Sequence, residues 1–212
     1  MSRYPRIGRR ALIAIAALIR PGVARADEIT VDLTTPAFTF ARTGNGAPAE
    51  WAVQEDASTP NRRVLAQTST DPTDYRFPLA IYQRIDAANV EATVRFKAVA
   101  GRVDRAGGLM VRYADPDNYY VVRANALEDN VNLYRVVKGS RREITGASVS
   151  VPSGVWHTLG LKADGDRFTI SFNGTVLFSA ADRTFTTPGK IGLWTKADSV
   201  TRFDALTVRA LP

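Results

Sequence analysis

The segment 107–137 (GGLMVRYADPDNYYVVRANALEDNVNLYRVV) limits the possible folds of this chain more than any other part of the sequence. Three runs rich in Val, Tyr and Leu, at 109–113, 119–125 and 131–137, are separated by residues typical of turns. Short runs of this composition are typical of β-strands. In 115–118 (DPDN), proline presets one backbone dihedral, and Asp and Asn can bond their own backbone. The segment therefore predicts three consecutive antiparallel strands.

The pairing of the first two strands predicts which side chains share a face. With the DPDN turn unpaired, Tyr113 lies opposite Tyr120, and Val111 lies opposite Val122. Successive side chains of a strand point to opposite faces, so one face of this hairpin is apolar. The other face carries a mixed set: Met110, Arg112, Tyr119, Val121, Arg123 and Asn125.

The third strand can pair in two registers, and we favour the one that places Val131 and Leu133 in the core. Asn132 and Tyr134 then lie beside Arg123, whereas a slip of one residue would reverse every assignment. The favoured register also points Arg135 inward.

Strand patterns continue along the rest of the chain. Residues 89–98 (NVEATVRFKA) alternate between apolar and polar side chains, and Asp164-Gly165 and Asn173-Gly174 are strong hairpin signals. Because no long helical period occurs after residue 26, these short strands indicate a β-sandwich or a barrel.

The positive charge of the chain is concentrated at its N-terminus. The formal net charge is +7. Residues 1–26 contain six arginines and no acid, so 28 − 6 = 22 basic residues stand against 21 acidic ones in the remainder. A nearly neutral remainder does not favour a nucleic-acid partner.

Residues 1–26 are predicted to be a secretory signal peptide. They combine a basic start, the apolar run 11–19 and the small-residue pattern 24–26 (ARA). Arg9-Arg10 is consistent with twin-arginine export, and an uncleaved amphipathic arm is the alternative. The apolar run is shorter than the roughly 20 residues that span a bilayer, so no span is expected after signal removal. We predict a periplasmic or secreted protein with one domain at 27–212 and, because Cys is absent, no disulfide.

Several later segments carry a family resemblance. These are the strand that begins Trp156-His157-Thr158-Leu159, the Phe172-Asn173-Gly174 turn, the strand 189–194 (GKIGLW), Arg202-Phe203-Asp204 and the segment GGLMVRYADPDNYY. Together they resemble the concanavalin A-like lectin and glucanase superfamily of laminin-G-like jelly rolls. Within it, the similarity is strongest to secreted bacterial domains of the 3-keto-disaccharide hydrolase type. The resemblance implies an all-β fold, a two-sheet antiparallel β-sandwich (jelly roll) whose concave sheet binds glycans in relatives.

Catalytic and metal-binding residues are few. The Glu-x-Asp-x-x-Glu pattern of laminarinase-type relatives does not occur in the sequence. Glu128 and Asp129 are the candidate catalytic pair, and they could both meet a ligand only within the loop 126–130; a solvated turn is the alternative. His157 is the only histidine, which excludes a histidine cluster for zinc and favours a structural role. No cofactor is indicated, but relatives bind calcium, and Asp204 is the candidate ligand.

The residue types that bind sugars are present on the polar face of the segment. Sugar rings stack on aromatic side chains, and their hydroxyls pair with Arg, Asn and carboxylates. The candidates are Arg112, Tyr119, Arg123, Asn125, Asn132 and Tyr134, with Trp194 and Lys196 completing the groove. Trp51 and Trp156 are assigned to the core.

We therefore predict a domain that binds a carbohydrate ligand on its concave sheet. The alternatives are a glycoside hydrolase of the 3-keto-disaccharide type, an interaction module of the cell envelope, and a solvated outer face with ordinary cross-strand pairs. The sequence leaves the sugar and the oligomeric state open.

Overall fold

The computed structural model describes Met1 and residues 27–212, so the predicted signal peptide lies outside the described residues except for Met1. All regular structure from residue 27 onwards is β-strand. The strands are β1 Ile29–Val31, β2 Phe38–Gly44, β3 Trp51–Glu55, β4 Arg63–Gln67, β5 Arg76–Ala87, β6 Val90–Ala100, β7 Ala106–Asp115, β8 Asn118–Asn125, β9 Asn130–Val137, β10 Ser140–Ser148, β11 His157–Asp164, β12 Arg167–Phe172, β13 Thr175–Ala181, β14 Gly189–Trp194 and β15 Val200–Ala210. Within this part of the chain, no helix is long and apolar enough to cross a membrane.

The strands form two antiparallel sheets, which confirms the predicted jelly-roll sandwich. The back sheet has the order β13-β12-β11-β6-β15-β4-β3, and β1 also pairs with β15. The front sheet has the order β10-β9-β8-β7-β14-β5-β2. The first and last strands of the described domain therefore lie side by side, with Ile29 opposite Val208.

The main core lies between the two sheets. On β6 the residues Val90, Ala92, Val94 and Phe96 are buried, while Glu91, Thr93 and Arg95 are partly exposed, as their alternation predicts. Phe96 packs there with other large buried side chains such as Phe203. Burying a side chain of this size contributes about 1.5–3 kcal/mol to stability.

A second apolar cluster lies on the other face of the front sheet, and its contacts show that this face is concave. The Tyr119 hydroxyl on β8 lies 2.8 Å from Thr43 Oγ1 on β2, although three strands separate β8 from β2. On a flat sheet these strands would be about 19 Å apart, at about 4.8 Å per step. The sheet must therefore curl over this face.

The hairpin of β7 and β8 differs from the predicted register. Asp115 pairs with Asn118, so the turn is only Pro116-Asp117, and a β-bulge then places Val111 opposite Tyr120 rather than Val122. The shift is two residues, so the side chains of β8 keep their predicted faces. The bulge reverses the side chains beside it on β7, as Arg112 below illustrates.

The predicted register of the third strand is confirmed. Leu133 lies opposite Val122 and belongs to the main core, while Asn132 lies opposite Arg123. Arg135 points to the same side as Leu133, where it forms an ion pair with Asp182 at the edge of the core.

The core assignments of the two tryptophans have different outcomes. Trp51 packs partly buried against the main core, with its ring 5.8 Å from that of Phe203. The assignment of Trp156 is wrong, because its ring lies near the Arg95 guanidinium and the Lys97 ammonium, 4.9 and 4.7 Å from its centroid. Both cations are on the polar side of β6, outside the core.

Candidate functional site

A cluster of polar side chains occupies one end of the concave face, and we call this cluster the polar pocket. Alternation along β8 and β9 directs Arg123, Asn125, Asn132 and Tyr134 to this face. Loops at the ends of β6 and β14 and the loop before β5 add Asp104, Lys196 and Asp74. The loop between β8 and β9 adds Glu128.

Arg123 is the centre of the polar pocket and is only 3% exposed. Its Nη2 donates to Glu128 Oε2 at 2.7 Å and to the Tyr134 hydroxyl at 3.0 Å. Its Nη1 donates to Asn130 Oδ1 at 2.6 Å. On β7, Gly108 lies opposite Arg123, and a Cβ at this glycine would lie 2.9 Å from a backbone oxygen and 3.2 Å from the Trp194 ring. Glycine therefore permits the close packing beside the guanidinium.

The hydrogen bonds continue from Tyr134 towards the edge strand β10. Asn132 Nδ2 donates to the Tyr134 hydroxyl at 3.1 Å and to Glu143 Oε2 at 2.9 Å. A Cβ at Gly146 would lie 2.1 Å from Asn132 Oδ1, so only glycine leaves room for this amide. The amide thus links Tyr134 to an exposed carboxylate on β10.

Lys196 joins two loops at the other side of the polar pocket. Its Nζ lies 2.5 Å from Asp74 Oδ1 and 3.0 Å from Asp104 Oδ2. Burial alone would lower the pKa of Lys196, but its hydrogen bond to Asp74 and the charge of Asp104 raise the pKa above its usual value. The ammonium is therefore charged at neutral pH.

The two carboxyl groups of the polar pocket beside Arg123 have opposite pKa shifts. Asp104 is only 1% exposed, and burial raises its pKa against the opposing charges of Lys196 and Arg123. The Glu128 side chain is 46% exposed. Partial burial would raise the pKa of Glu128, but the Arg123 charge and the hydrogen bond from Asn130 lower it overall.

Several buried polar atoms in and beside the polar pocket have no hydrogen-bond partner among the described residues. They are Asp104 Oδ1, Arg123 Nε, Asn125 Nδ2, Thr195 Oγ1 directly after β14, and Arg141 Nη1 beside the Tyr134 ring. The other Asp104 oxygen, Oδ2, forms an ion pair with Lys196 Nζ at 3.0 Å. A buried polar group left unpaired costs about 1–3 kcal/mol. These atoms leave hydrogen-bonding positions that a polar ligand or ordered water can fill.

Comparison with known proteins identifies the family. The sequence profile of the galactocerebrosidase C-terminal lectin domain matches residues 81–211, which is more than half of the chain. The chain belongs to this lectin-domain family. A comparison with curated protein sequences gives no match.

Solved structures show the same fold at low sequence identity. The carbohydrate-binding module CBM66 from Bacillus subtilis is 21% identical, with a TM-score of 0.64 over 82% of this chain and 96% of that one. A GH16 protein from Bacteroides ovatus, in complex with a mixed-linkage glucan product, is 12% identical, with a TM-score of 0.60 over 85% and 99%. Domain 4 of a Geobacillus stearothermophilus arabinanase, in complex with arabinotriose, is 12% identical, with a TM-score of 0.53 over 82% and 82%. The lectin domain thus has the predicted concanavalin A-like fold.

The structure brings together five of the eight predicted ligand-binding residues: Arg123, Asn125, Asn132, Tyr134 and Lys196. Arg112 is a correction, because the bulge in β7 gives it a φ of 50° and turns it towards the main core. Its guanidinium donates to the carbonyls of Ala88, Phe185 and Gly165 at 2.7, 2.7 and 2.6 Å. Arg112 therefore joins three chain segments and does not face the groove.

Tyr119 and Trp194 are also corrections, because they form a packed region of the concave face next to the polar pocket, here called the sealed end. Both are fully buried. Trp194 Nε1 donates to the Tyr119 hydroxyl at 3.3 Å, and the Trp194 ring stacks on Phe77 at 5.2 Å. The Arg141 guanidinium covers the Trp194 and Phe77 rings at 5.5 and 4.8 Å. Neither aromatic ring offers a free face to a sugar.

The predicted catalytic pair is divided by the structure. Glu128 contacts Arg123, as the hydrolase hypothesis requires. Asp129 instead accepts the backbone N–H of Val151 at 2.8 Å with its carboxylate, and the N–H of Val149 at 3.0 Å with its carbonyl. Asp129 therefore fixes the segment after β10, and the two carboxylates do not act as a pair.

The surroundings of Asp204 do not fit calcium. Its carboxylate lies in the back sheet and accepts a hydrogen bond from Arg95 Nη1 at 2.7 Å, so a cation already occupies this position. Among the described residues, no group of three or more His, Cys, Asp or Glu side chains could hold a metal ion. His157 is buried between Pro152 O and Asn173 Nδ2, at 3.0 and 3.1 Å, in the expected structural role.

The sequence analysis missed Asp74, Asp104 and Glu143. Asp74 and Asp104 lie in loops outside the segment 107–137. Glu143 lies on β10, a strand that the sequence did not assign to the groove. No local sequence pattern distinguishes them from the other acidic residues of the chain. Their position depends on loop closure and strand pairing across the sheet.

Proposed function

We propose that this lectin domain binds a carbohydrate in the polar pocket of its front sheet. The observation that carries the proposal is the group of unpaired buried atoms of Asp104, Arg123 and Asn125. Sugar hydroxyls both donate and accept, so one hydroxyl can donate to a carboxylate oxygen of Asp104 while accepting from a neighbouring N–H. The names of several proteins with this fold refer to carbohydrate binding or to bound saccharides, which supports the same ligand class.

Entry of the ligand requires only the rim of the polar pocket to move. Glu128 and Asp74 cover Arg123 and Lys196 from outside, and their side chains are 46% and 72% exposed. Because Arg123 is only 3% exposed, loss of Glu128 without a replacement would cost about 3–5 kcal/mol, so the ligand must supply hydrogen bonds in its place. Ligand hydroxyls would then take the place of these carboxylates on Arg123 and Lys196.

The N-terminal sequence supports a proposed setting in the periplasm or outside the cell. Residues 1–26 have the composition of a signal peptide, and glycans are abundant in the cell envelope. Export is therefore part of the proposal.

Binding is tested by calorimetry with methyl glycosides of galactose, glucose, arabinose and fructose. We expect at least one of these sugars to bind, and we expect Arg123→Lys to weaken it at least about tenfold, because lysine keeps the charge but lacks the planar fork. Arg135→Lys is the matched control, since Arg135 lies on the neighbouring strand and faces the opposite side, where it pairs with Asp182. Binding by none of the four sugars, or equal affinity in the Arg123→Lys variant, would contradict the proposal.

Glycoside hydrolysis is the second candidate function. The observation that favours it is the raised pKa of Asp104 beside the lowered pKa of Glu128, an arrangement that suits a proton donor and a charged partner. Product release from a 3-keto-disaccharide, lost in both Glu128→Gln and Asp104→Asn, would support it. Release that persists in both variants would exclude these carboxyls.

A further inference from the structure

The cations of the polar pocket lie deeper than most of its carboxylates. The Arg123 and Lys196 side chains are 3% and 12% exposed. Arg141 adds a third cation, with a buried Nη1 and a guanidinium 4.5 Å from the centroid of the Tyr134 ring. Against these three cations stands the buried carboxylate of Asp104, which is 1% exposed. The interior of the polar pocket therefore carries more positive than negative charge.

Exposed carboxylates balance this charge from the rim of the polar pocket. Glu128 pairs with Arg123, and Asp74 pairs with Lys196. A buried cation that loses its partner is strongly unfavourable. Ligand hydroxyls can restore the hydrogen bonds of a displaced rim carboxylate, but only an anionic group also restores its charge. The electrostatics of the polar pocket therefore favour a ligand with a negative charge.

The position of the Glu128 carboxylate is defined by two donors. Its Oε2 accepts from Arg123 Nη2 at 2.7 Å and from Asn130 Nδ2 at 3.1 Å. Arg123 is itself held in place, because it also donates to Asn130 Oδ1 and to the Tyr134 hydroxyl. A guanidinium forms strong, charge-assisted hydrogen bonds with a carboxylate. The same two donors would therefore receive a ligand carboxylate oxygen at the position of Glu128 Oε2.

The loop that carries Glu128 is anchored on both sides of this residue. Asn125 Oδ1 accepts the backbone N–H of Leu127 at 2.9 Å, and the Asp129 carboxylate accepts that of Val151 at 2.8 Å. The Glu128 side chain can therefore leave the guanidinium by rotation about its own bonds, without rearrangement of the backbone. Because this side chain is 46% exposed, the position that it vacates opens directly to solvent.

The unpaired atoms of the polar pocket also favour a ligand with many acceptors. Within the described part of the chain, three of these atoms belong to donors: Arg123 Nε, Asn125 Nδ2 and Arg141 Nη1. Asp104 Oδ1 is an acceptor when ionised, and Thr195 Oγ1 can act in either role. A carboxylate has two oxygens that accept at about four lone-pair sites, so it matches this surplus of donors better than a hydroxyl does.

We propose that the carbohydrate ligand is acidic, and that its carboxylate takes the place of the Glu128 carboxylate on Arg123. The ligand class is therefore a sugar that carries a carboxylate, such as a uronic acid. The inference rests on the proposed carbohydrate function and specifies the substituent that the sugar carries. Glu128 then acts as an internal occupant, which compensates the charge of Arg123 until the ligand displaces it.

Calorimetry with matched sugars tests the requirement for charge. The methyl glycosides of glucuronic and galacturonic acid are compared with those of glucose and galactose, which differ only at C6, and with the neutral uronamides. We expect at least one uronide to bind at least about tenfold more tightly than both of its neutral counterparts, because hydrogen bonds to charged groups are the stronger ones. Acetate should not compete with it, since acetate lacks the sugar. Competition by acetate as strong as that of the uronide would overturn the proposal.

Glu128→Gln tests the exchange of carboxylates. The amide keeps the size of the side chain but removes the competing charge, so we expect the affinity for the uronide to rise about threefold or more. The affinity for the neutral glycoside should change less. Glu55→Gln, at an exposed position on β3 of the back sheet, is the matched control and should change neither affinity.

Two results would overturn the acidic-ligand proposal and leave the carbohydrate function standing. The first is binding of the neutral glycosides with an affinity equal to or higher than that of both uronides. The second is a fall in uronide affinity in Glu128→Gln, which would show that Glu128 contacts the ligand and does not give way to it. If no sugar of either kind binds, the carbohydrate function fails as well, and the two failures are therefore distinguishable.

Discussion

The sealed end and the polar pocket lie side by side on the concave face but satisfy their polar groups in different ways. At the sealed end, the Tyr119 hydroxyl accepts from Trp194 Nε1 and bonds Thr43 Oγ1, and Arg141 covers the aromatic rings. At the polar pocket, Asp104, Arg123 and Asn125 keep buried atoms without a protein partner. Burial alone therefore does not separate core from site on this face. The hydrogen bonding of Tyr119 and Trp194 is complete, whereas Arg141, which also lies 4.5 Å from the Tyr134 ring, keeps Nη1 without a partner among the described residues, between the two regions.

Arg112, which the sequence placed in the groove and the structure turns towards the main core, gives the largest expected effect. Arg112→Ala removes three charge-assisted hydrogen bonds and leaves three carbonyls without these donors, so we expect the free energy of unfolding to fall by about 3–5 kcal/mol. Urea unfolding measures this change. Arg142→Ala, at an exposed position on β10, should leave the unfolding free energy nearly unchanged. If the Arg112→Ala protein were as stable as the unmodified protein but bound sugar more weakly, Arg112 would belong to the binding site.

Two tyrosines give a matched pair with a smaller effect. Tyr119→Phe should lower the free energy of unfolding by about 1–2 kcal/mol, because Thr43 and Trp194 lose a buried partner, and it should leave sugar affinity unchanged. Tyr134→Phe should weaken sugar binding several-fold, since its hydroxyl orients Arg123 and Asn132. Thermal unfolding and calorimetry of both variants separate the two roles. If both substitutions changed the same property, the two regions would not differ in function.

The smallest effect concerns pH. The ionised Asp104 carboxylate accepts from sugar hydroxyls in the proposed complex, and its pKa is raised by burial, so affinity should fall as the pH drops through this raised value. The fold should persist further into acid. Hydrogen bonds from Lys97 and Ser58 lower the pKa of Asp56, and backbone N–H groups outweigh burial to lower that of Asp198. The stability from these two groups is present above their ordinary pKa of 3.8 and is lost only as the pH falls through the lower folded values.

Calorimetry and tryptophan fluorescence, measured from neutral to acid pH, would show whether sugar binding is lost before the fold. Asp104→Asn is the control, and its residual affinity should be independent of pH over the same range. Simultaneous loss of binding and folding in the unmodified protein would contradict the separation of the two regions.

The alternation of β8 and β9 made their faces predictable from sequence. Side chains alternate between the two faces of a strand, and one face of β8 and β9 is apolar and must be buried in the core. The opposite face must therefore carry Arg123, Asn125, Asn132 and Tyr134. Arg112 was not predictable in this way. A bulge changes the period by local backbone geometry, and no Gly or Pro in 109–114 marks it.

Sequence reasoning also could not distinguish the sealed end from the polar pocket. Tyr119 and Trp194 have the residue types of a sugar site, but the curl of the sheet places Thr43 over one of them and stacks Phe77 on the other. Asp104 joins Arg123 through loop positions that only the folded chain defines. Side-chain chemistry predicted the ligand class, whereas the location of the site required three-dimensional contacts.

The pairing of β1 with β15 has a practical consequence. Both ends of the described domain leave from the back sheet, and the concave face lies on the far side of the sandwich. A tether, fluorescent tag or neighbouring module fused at either end would therefore not obstruct ligand access. Attachment of the domain to a sensor surface through its termini would present the polar pocket to solution.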